Sequence, residues 1–114
     1  MEVVNEGHTY TLNHLDVDVG IERLQFVDRG HGNDCSGTNN QEVLRVLIDR
    51  VQFLDIEKPW YGNVEIIRHL RMALKLHESR HLEILMDKIS IQVEQIPVGQ
   101  DGHFIFTDLS TIEN

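Results

Sequence analysis

The chain has 114 residues, a single cysteine, seven histidines and a formal net charge of −9. This length suits one domain with one modest core. The absence of any long apolar run excludes a membrane-spanning helix, and the acidic start MEVVNEGHTY lacks the apolar stretch of a secretory leader. Cys35 alone rules out an internal disulfide framework and fits a reducing cytoplasm.

The charge is uneven. Residues 1–44 carry two Arg against eight acids, and residues 89–114 carry four acids and no Lys or Arg. Eight of the ten Lys/Arg fall between positions 45 and 88. A long nucleic acid is repelled by such a chain as a whole, whereas a small anion could bind where the guanidinium groups concentrate.

In chain order, Glu2–Val4 and His8–Leu12 flank Asn5-Glu6-Gly7 and predict a β-hairpin. Further strands are expected at Val17–Ile21 and Leu24–Asp28, and RGHGNDCSGTNN, residues 29–40, reads as a loop. Thr38 or Asn39 can cap a helix, with Gln41 or Glu42 completing a capping box. Val43, Leu44, Leu47, Ile48, Val51 and Leu54 then recur at helical spacing. Pro59 ends this helix by Lys58. A second helix is expected from Asn63, with an apolar stripe from Ile66 through Leu74, His77 and His81 to Leu85. The short link makes the pair an antiparallel hairpin. Ile89, Ile91 and Val93 alternate with polar residues, 97–102 is turn-like, and His103–Thr107 reads as a return strand.

The expectation is therefore one α+β domain over residues 1–114. Strands and a loop occupy 1–36, the helical hairpin 37–88, a β-hairpin 89–109 and a polar tail 110–114. Two helices cannot enclose a core alone, so the hairpin must pack on the strands, on a second copy, or on both. Val46 and Phe53 lie to one side of the first helix's main stripe with Arg50 between them, which suggests a surface with a partner.

One motif points to chemistry. His77-Glu78-Ser79-Arg80-His81 has the HExxH spacing of zinc hydrolases. Such a site needs a third protein ligand and an open position for water. Only Glu94 or His103 could serve, and only if the C-terminal hairpin folds back. The same spacing puts both histidines on the apolar stripe, where buried, hydrogen-bonded histidine is the commoner outcome. No phosphate loop, CxxC pair or serine nucleophile elbow is present, so no catalytic residue, metal or cofactor is assigned.

Residues 37–80, GTNNQEVLRVLIDRVQFLDIEKPWYGNVEIIRHLRMALKLHESR, carry a resemblance. Thr38, Asn39, Glu42, Val43, Leu44, then Leu47, Ile48, Asp49, Arg50 and Phe53, then Asn63, Ala73, Leu74 and Arg80 follow the helical hairpin of the phage anti-Thoeris and anti-CBASS sponge proteins. The segment departs from that pattern at Trp60-Tyr61-Gly62, Arg68, Arg71-Met72 and Leu76. The N-terminal strands are more similar to the anti-Thoeris branch.

The resemblance implies a non-enzymatic protein of the host cytoplasm that binds a cyclic nucleotide immune messenger and withholds it. A cyclic ADP-ribose isomer is the first candidate and a cyclic oligonucleotide the second. It also implies a homo-oligomer, a dimer or a hexamer built as a trimer of dimers. Phe53 would stack on a base, the Asn63 amide would meet a base edge at a helix start that favours anions, and Arg80 would grip a phosphate bidentately. Arg50, Trp60, Arg68 and Arg71 complete the candidate set. The alternatives are a small oligomeric interaction protein without a ligand, and a zinc hydrolase using His77, Glu78 and His81.

Overall fold

The structure is a computed structural model that describes residues 1–16, 20–28, 35–88 and 96–105. The protein is α+β and forms two compact units, Met1–Asn39 and Asn40–Glu113.

The first unit holds an antiparallel sheet of β1 (Glu2–Asn5), β2 (Thr9–Asn13) and β3 (Ile21–Gln25), in that spatial order. Gly7 sits at φ +77° in the β1–β2 turn, a conformation that disfavours any residue with a Cβ. His8 N–H closes the turn on the Asn5 carbonyl at 2.9 Å. The register slips between Val3 and Asn5, as a bulge does. A single strand, β3, bridges the two stretches that alternation assigns separately to 17–21 and 24–28. It begins after Gly20, at φ +117°, and takes its register from β2, with Thr9 opposite Gln25 and Asn13 opposite Ile21. Residues 17–19 lie outside the described set.

Beyond β3 two isolated bridges tie the described chain together. Phe26 bridges Thr38 in parallel, and Asp28 bridges Cys35 in antiparallel fashion. Gly37 fits only because it lacks a side chain, since a Cβ there would stand 2.5 Å from the Phe26 carbonyl carbon. Buried Thr9, buried Asp28 and an edge-to-face contact of Tyr10 with Phe26, centroids 6.0 Å apart, supply the packing of this unit.

The second unit is built on α1 (Asn40–Glu57) and α2 (Asn63–Lys88), which pack as an antiparallel hairpin. Asn39 stands at the cap position of α1, with Glu42 three residues on, as the capping-box reading requires. Gln41, the other candidate for that role, is buried instead, and its Nε2 meets His81 Nδ1 on α2. That pair sets the register of the hairpin, placing residues 80–81 level with the start of α1.

After α2, the described chain resumes at Ile96. Gly99 N–H bonds the His103 carbonyl and Ile105 N–H the Pro97 carbonyl, both at 2.8 Å, and Val98 bridges Phe104. These bonds close a turn within the segment where a C-terminal β-hairpin is expected. Its first strand at 89–93, the end of its return strand and the tail lie outside the described residues.

The apolar core of this unit is small: Ile48, Leu74, Leu85 and Ile96. Around it Gln41, Glu78, His81 and His103 are also buried. The sequence stripe overstates burial, because Leu47, Leu54 and Ile66 remain 44%, 42% and 39% exposed. The reason is one-sided cover. At about 100° per residue, Val43, Leu47 and Leu54 share one flank of α1, and Ile66, Ala73 and Ile84 share one flank of α2. In an antiparallel pair these flanks fall on the same side of the hairpin. Arg45, Arg71 and Glu78, which hold the C-terminal turn, face the other side. Among the described residues of this unit, nothing covers the apolar side.

Candidate functional site

Helical spacing brings Glu42, Val46, Asp49 and Phe53 onto one face of α1, at i, i+4, i+7 and i+11. With Arg45 and Arg50 beside them, these residues line a groove of about 560 Å³. Phe53 is 52% and Val46 66% exposed, so the groove floor is apolar and accessible. The side chains of Asp49 and Arg50 make no hydrogen bond or ion pair among the described residues. Arg45 is heavily engaged. Nε and Nη2 grip both Asp101 carboxylate oxygens at 2.6 and 2.7 Å, and Nη1 donates to Glu42 at 3.2 Å. The groove thus combines an aromatic face, an uncommitted guanidinium and an uncommitted carboxylate. Sequence reasoning found Phe53 and Arg50 and missed Glu42, Arg45 and Asp49. The i, i+4, i+7, i+11 spacing was the signal that could have found Glu42 and Asp49.

The other expected site residues are dispersed. Asn63 Nδ2 donates to Asp55 Oδ1 at 2.8 Å, and the Trp60 N–H reaches the same oxygen at 3.2 Å. These bonds hold the Asp55 carboxyl below its ordinary range, with the Asn63 bond the larger cause. Asn63 therefore fastens the link between the helices, and its Oδ1 remains as an acceptor. The Trp60 ring folds over Gly62, where a Cβ would stand 2.2 Å from it, and lies tilted against Tyr61. Trp60 is still 53% exposed. Arg68 spends its guanidinium on Glu65 of the preceding turn, at 2.9 and 3.3 Å. Arg71 turns to the C-terminal segment and donates to His103 Nε2 at 2.8 Å.

Arg80 is exposed, next to the His81–Gln41 contact. Phe53 is 12 residues along α1 from Gln41, about 18 Å at 1.5 Å per residue. Within one chain, then, Phe53 and Arg50 converge, while Arg80 stands at the far end of the hairpin.

The HESRH stretch has a definite structural part. His81 is buried against Gln41. Glu78 accepts from His103 Nδ1 at 2.5 Å, with the Phe104 N–H at 3.5 Å from its other oxygen. Arginine can only donate, so Arg71 makes His103 Nε2 an acceptor and leaves the ring hydrogen on Nδ1, facing Glu78. Arg71 and the buried His103–Glu78 pair form a relay that latches the C-terminal turn to α2. Among the described residues, no group of three or more His, Cys, Asp or Glu is placed to hold a metal ion.

Asp101 adds a second latch. Burial pushes its carboxyl upward, but bonds from Arg45 and the His103 N–H outweigh this and hold it below the ordinary range. A depressed carboxyl stabilises fully above its unfolded pKa and loses that contribution as pH falls through the folded value. Release of this latch is thus expected in acid, below about pH 4. Stability against urea measured from pH 6 to pH 2 should fall less steeply in Asp101→Asn than in the native chain. Equal slopes would show that Asp101 contributes nothing through its charge. The effect is modest because the side chain is 35% exposed.

Compared with known proteins, the chain matches no family model, no curated protein and no solved structure. No helix among the described residues is long and apolar enough to cross a membrane.

Proposed function

We propose that this protein sequesters a cyclic nucleotide immune messenger without cleaving it, acting as a phage anti-defence sponge in the host cytoplasm. A cyclic ADP-ribose isomer is the preferred ligand and a cyclic oligonucleotide the second. The observation that carries the reading is the α1 groove, where Phe53 offers a stacking face and Arg50 an uncommitted guanidinium. The volume suits a ligand of nucleotide size.

The working unit is a homo-oligomer. Among the described residues, the apolar flanks of α1 and α2 present partly exposed Leu47, Leu54 and Ile66 over a surface about 27 Å long and two helices wide. That is the same order as the roughly 800 Å² each partner contributes to a standard interface. The groove stripe lies roughly 100° around α1 from this flank, so the shared site requires a second copy that also reaches around α1, its Arg80 meeting the Phe53 groove and the Asn63 carbonyl of the first. Two equivalent sites result, and three such dimers could assemble into a hexamer.

The decisive experiment incubates the protein with a panel of cyclic nucleotides, removes unbound material, denatures by heat and identifies what is released. An intact messenger is the expected product. A linearised or hydrolysed one would make the protein an enzyme. The same uncovered face favours a second reading, an oligomeric interaction protein with no ligand. Dimers that release nothing and show no thermal shift with any nucleotide would establish it.

A further inference from the structure

The groove carries one feature that an anion site does not need. Of its two acidic residues, Glu42 is tied to Arg45 at 3.2 Å. Asp49 is exposed, lines the groove and is uncommitted among the described residues. It stands one helical turn before Phe53, on the same face, and next to Arg50 in sequence. An uncommitted carboxylate beside a phosphate-binding guanidinium weakens the pull on a purely anionic ligand. It suits a ligand that also brings hydrogen-bond donors.

From this geometry we infer that Asp49 selects the base of the bound nucleotide, accepting a hydrogen bond from an exocyclic amine while Phe53 stacks on the base and Arg50 meets the phosphate. This rests on the sequestration reading and narrows it to amine-bearing bases. Adenine offers an N6 amine to a carboxylate. Uracil offers a carbonyl oxygen at the equivalent edge, which a carboxylate repels because an ionised Asp only accepts. Asparagine at position 49 can accept or donate, so it removes the discrimination while keeping shape. Alanine removes the contact altogether.

The test measures binding of two probes, cyclic dinucleotides with two adenines or with two uracils, to the native chain and to Asp49→Asn and Asp49→Ala. The native chain should prefer the adenine probe by about tenfold or more, the scale of a good base contact. Asp49→Asn should bring the two affinities close together, partly by tightening the uracil probe. Asp49→Ala should weaken the adenine probe without tightening the uracil one. An unchanged adenine preference in both variants would overturn the role of Asp49 and leave sequestration standing. A native chain that binds neither probe, nor any other cyclic nucleotide, would sink the sequestration reading and this inference together.

Discussion

Glu78→Ala is expected to destabilise the helical unit by about 2–4 kcal/mol, the largest loss foreseen for any single side chain here. The Glu78 and His103 side chains are only 10% and 8% exposed, and their contact is 2.5 Å. Removing the carboxylate leaves the His103 Nδ1–H buried and unmatched and weakens the hold on Phe104 N–H. It also opens a space between α2 and the C-terminal turn. Glu78→Gln keeps an acceptor of the same shape and should cost about 1 kcal/mol. Urea denaturation of the three proteins gives the comparison, and limited proteolysis near residues 97–105 reports whether the turn has detached. Messenger capture by Glu78→Gln should match the native level, because Glu78 is spent on the latch. A glutamine variant that stays fully stable but loses all capture would show that Glu78 acts on the ligand directly.

Complementation between two inactive variants is the second large effect. Arg80→Ala should cost roughly 1.5–3 kcal/mol of messenger affinity through a lost charge-assisted contact. Phe53→Ala should cost roughly 1–3 kcal/mol through lost stacking. The Gln41–His81 contact fixes Arg80 at the open end of the hairpin, away from Phe53, so the two can share a ligand only across two chains. Mixed and allowed to exchange subunits, the variants form dimers with one pocket holding both residues and one holding neither. Binding should return to about half the native stoichiometry in mixed dimers confirmed by mass. Confirmed mixed dimers that capture nothing would show that Arg80 and Phe53 do not meet at the interface.

Local signals located the two helices and the first turn. Asn39 and Glu42 mark the start of α1, Pro59 its end, Asn63 the start of α2, and Asn5-Glu6-Gly7 the β1–β2 turn. Each rests on chemistry within a few residues: a cap, a missing donor, a permissive φ. The α+β class and the antiparallel hairpin followed from hydrophobic period and link length. The Phe53–Arg50 surface was legible for the same reason, since helical periodicity alone puts both on one side of α1.

Contacts between distant segments were not legible. Nothing near Arg71 in the sequence announces His103, nothing near Arg45 announces Asp101, and the HExxH spacing gave no sign that the Glu78 carboxylate faces the C-terminal turn. Asn63 read as a ligand amide, yet its donor closes on Asp55 eight residues earlier. Burial differed for a related reason. A sequence stripe records which side chains are apolar, whereas cover depends on which other segment arrives. Here the C-terminal turn packs on the polar flank of the hairpin, and Leu47, Leu54 and Ile66 on the other flank stay partly exposed. Sequence alone determined the two helices, the β1–β2 turn and which side chains share a face of α1, because their causes are local. Only the tertiary structure decided which charged groups remain uncommitted, because an ion pair forms where folding brings two charges together, whatever their separation along the chain.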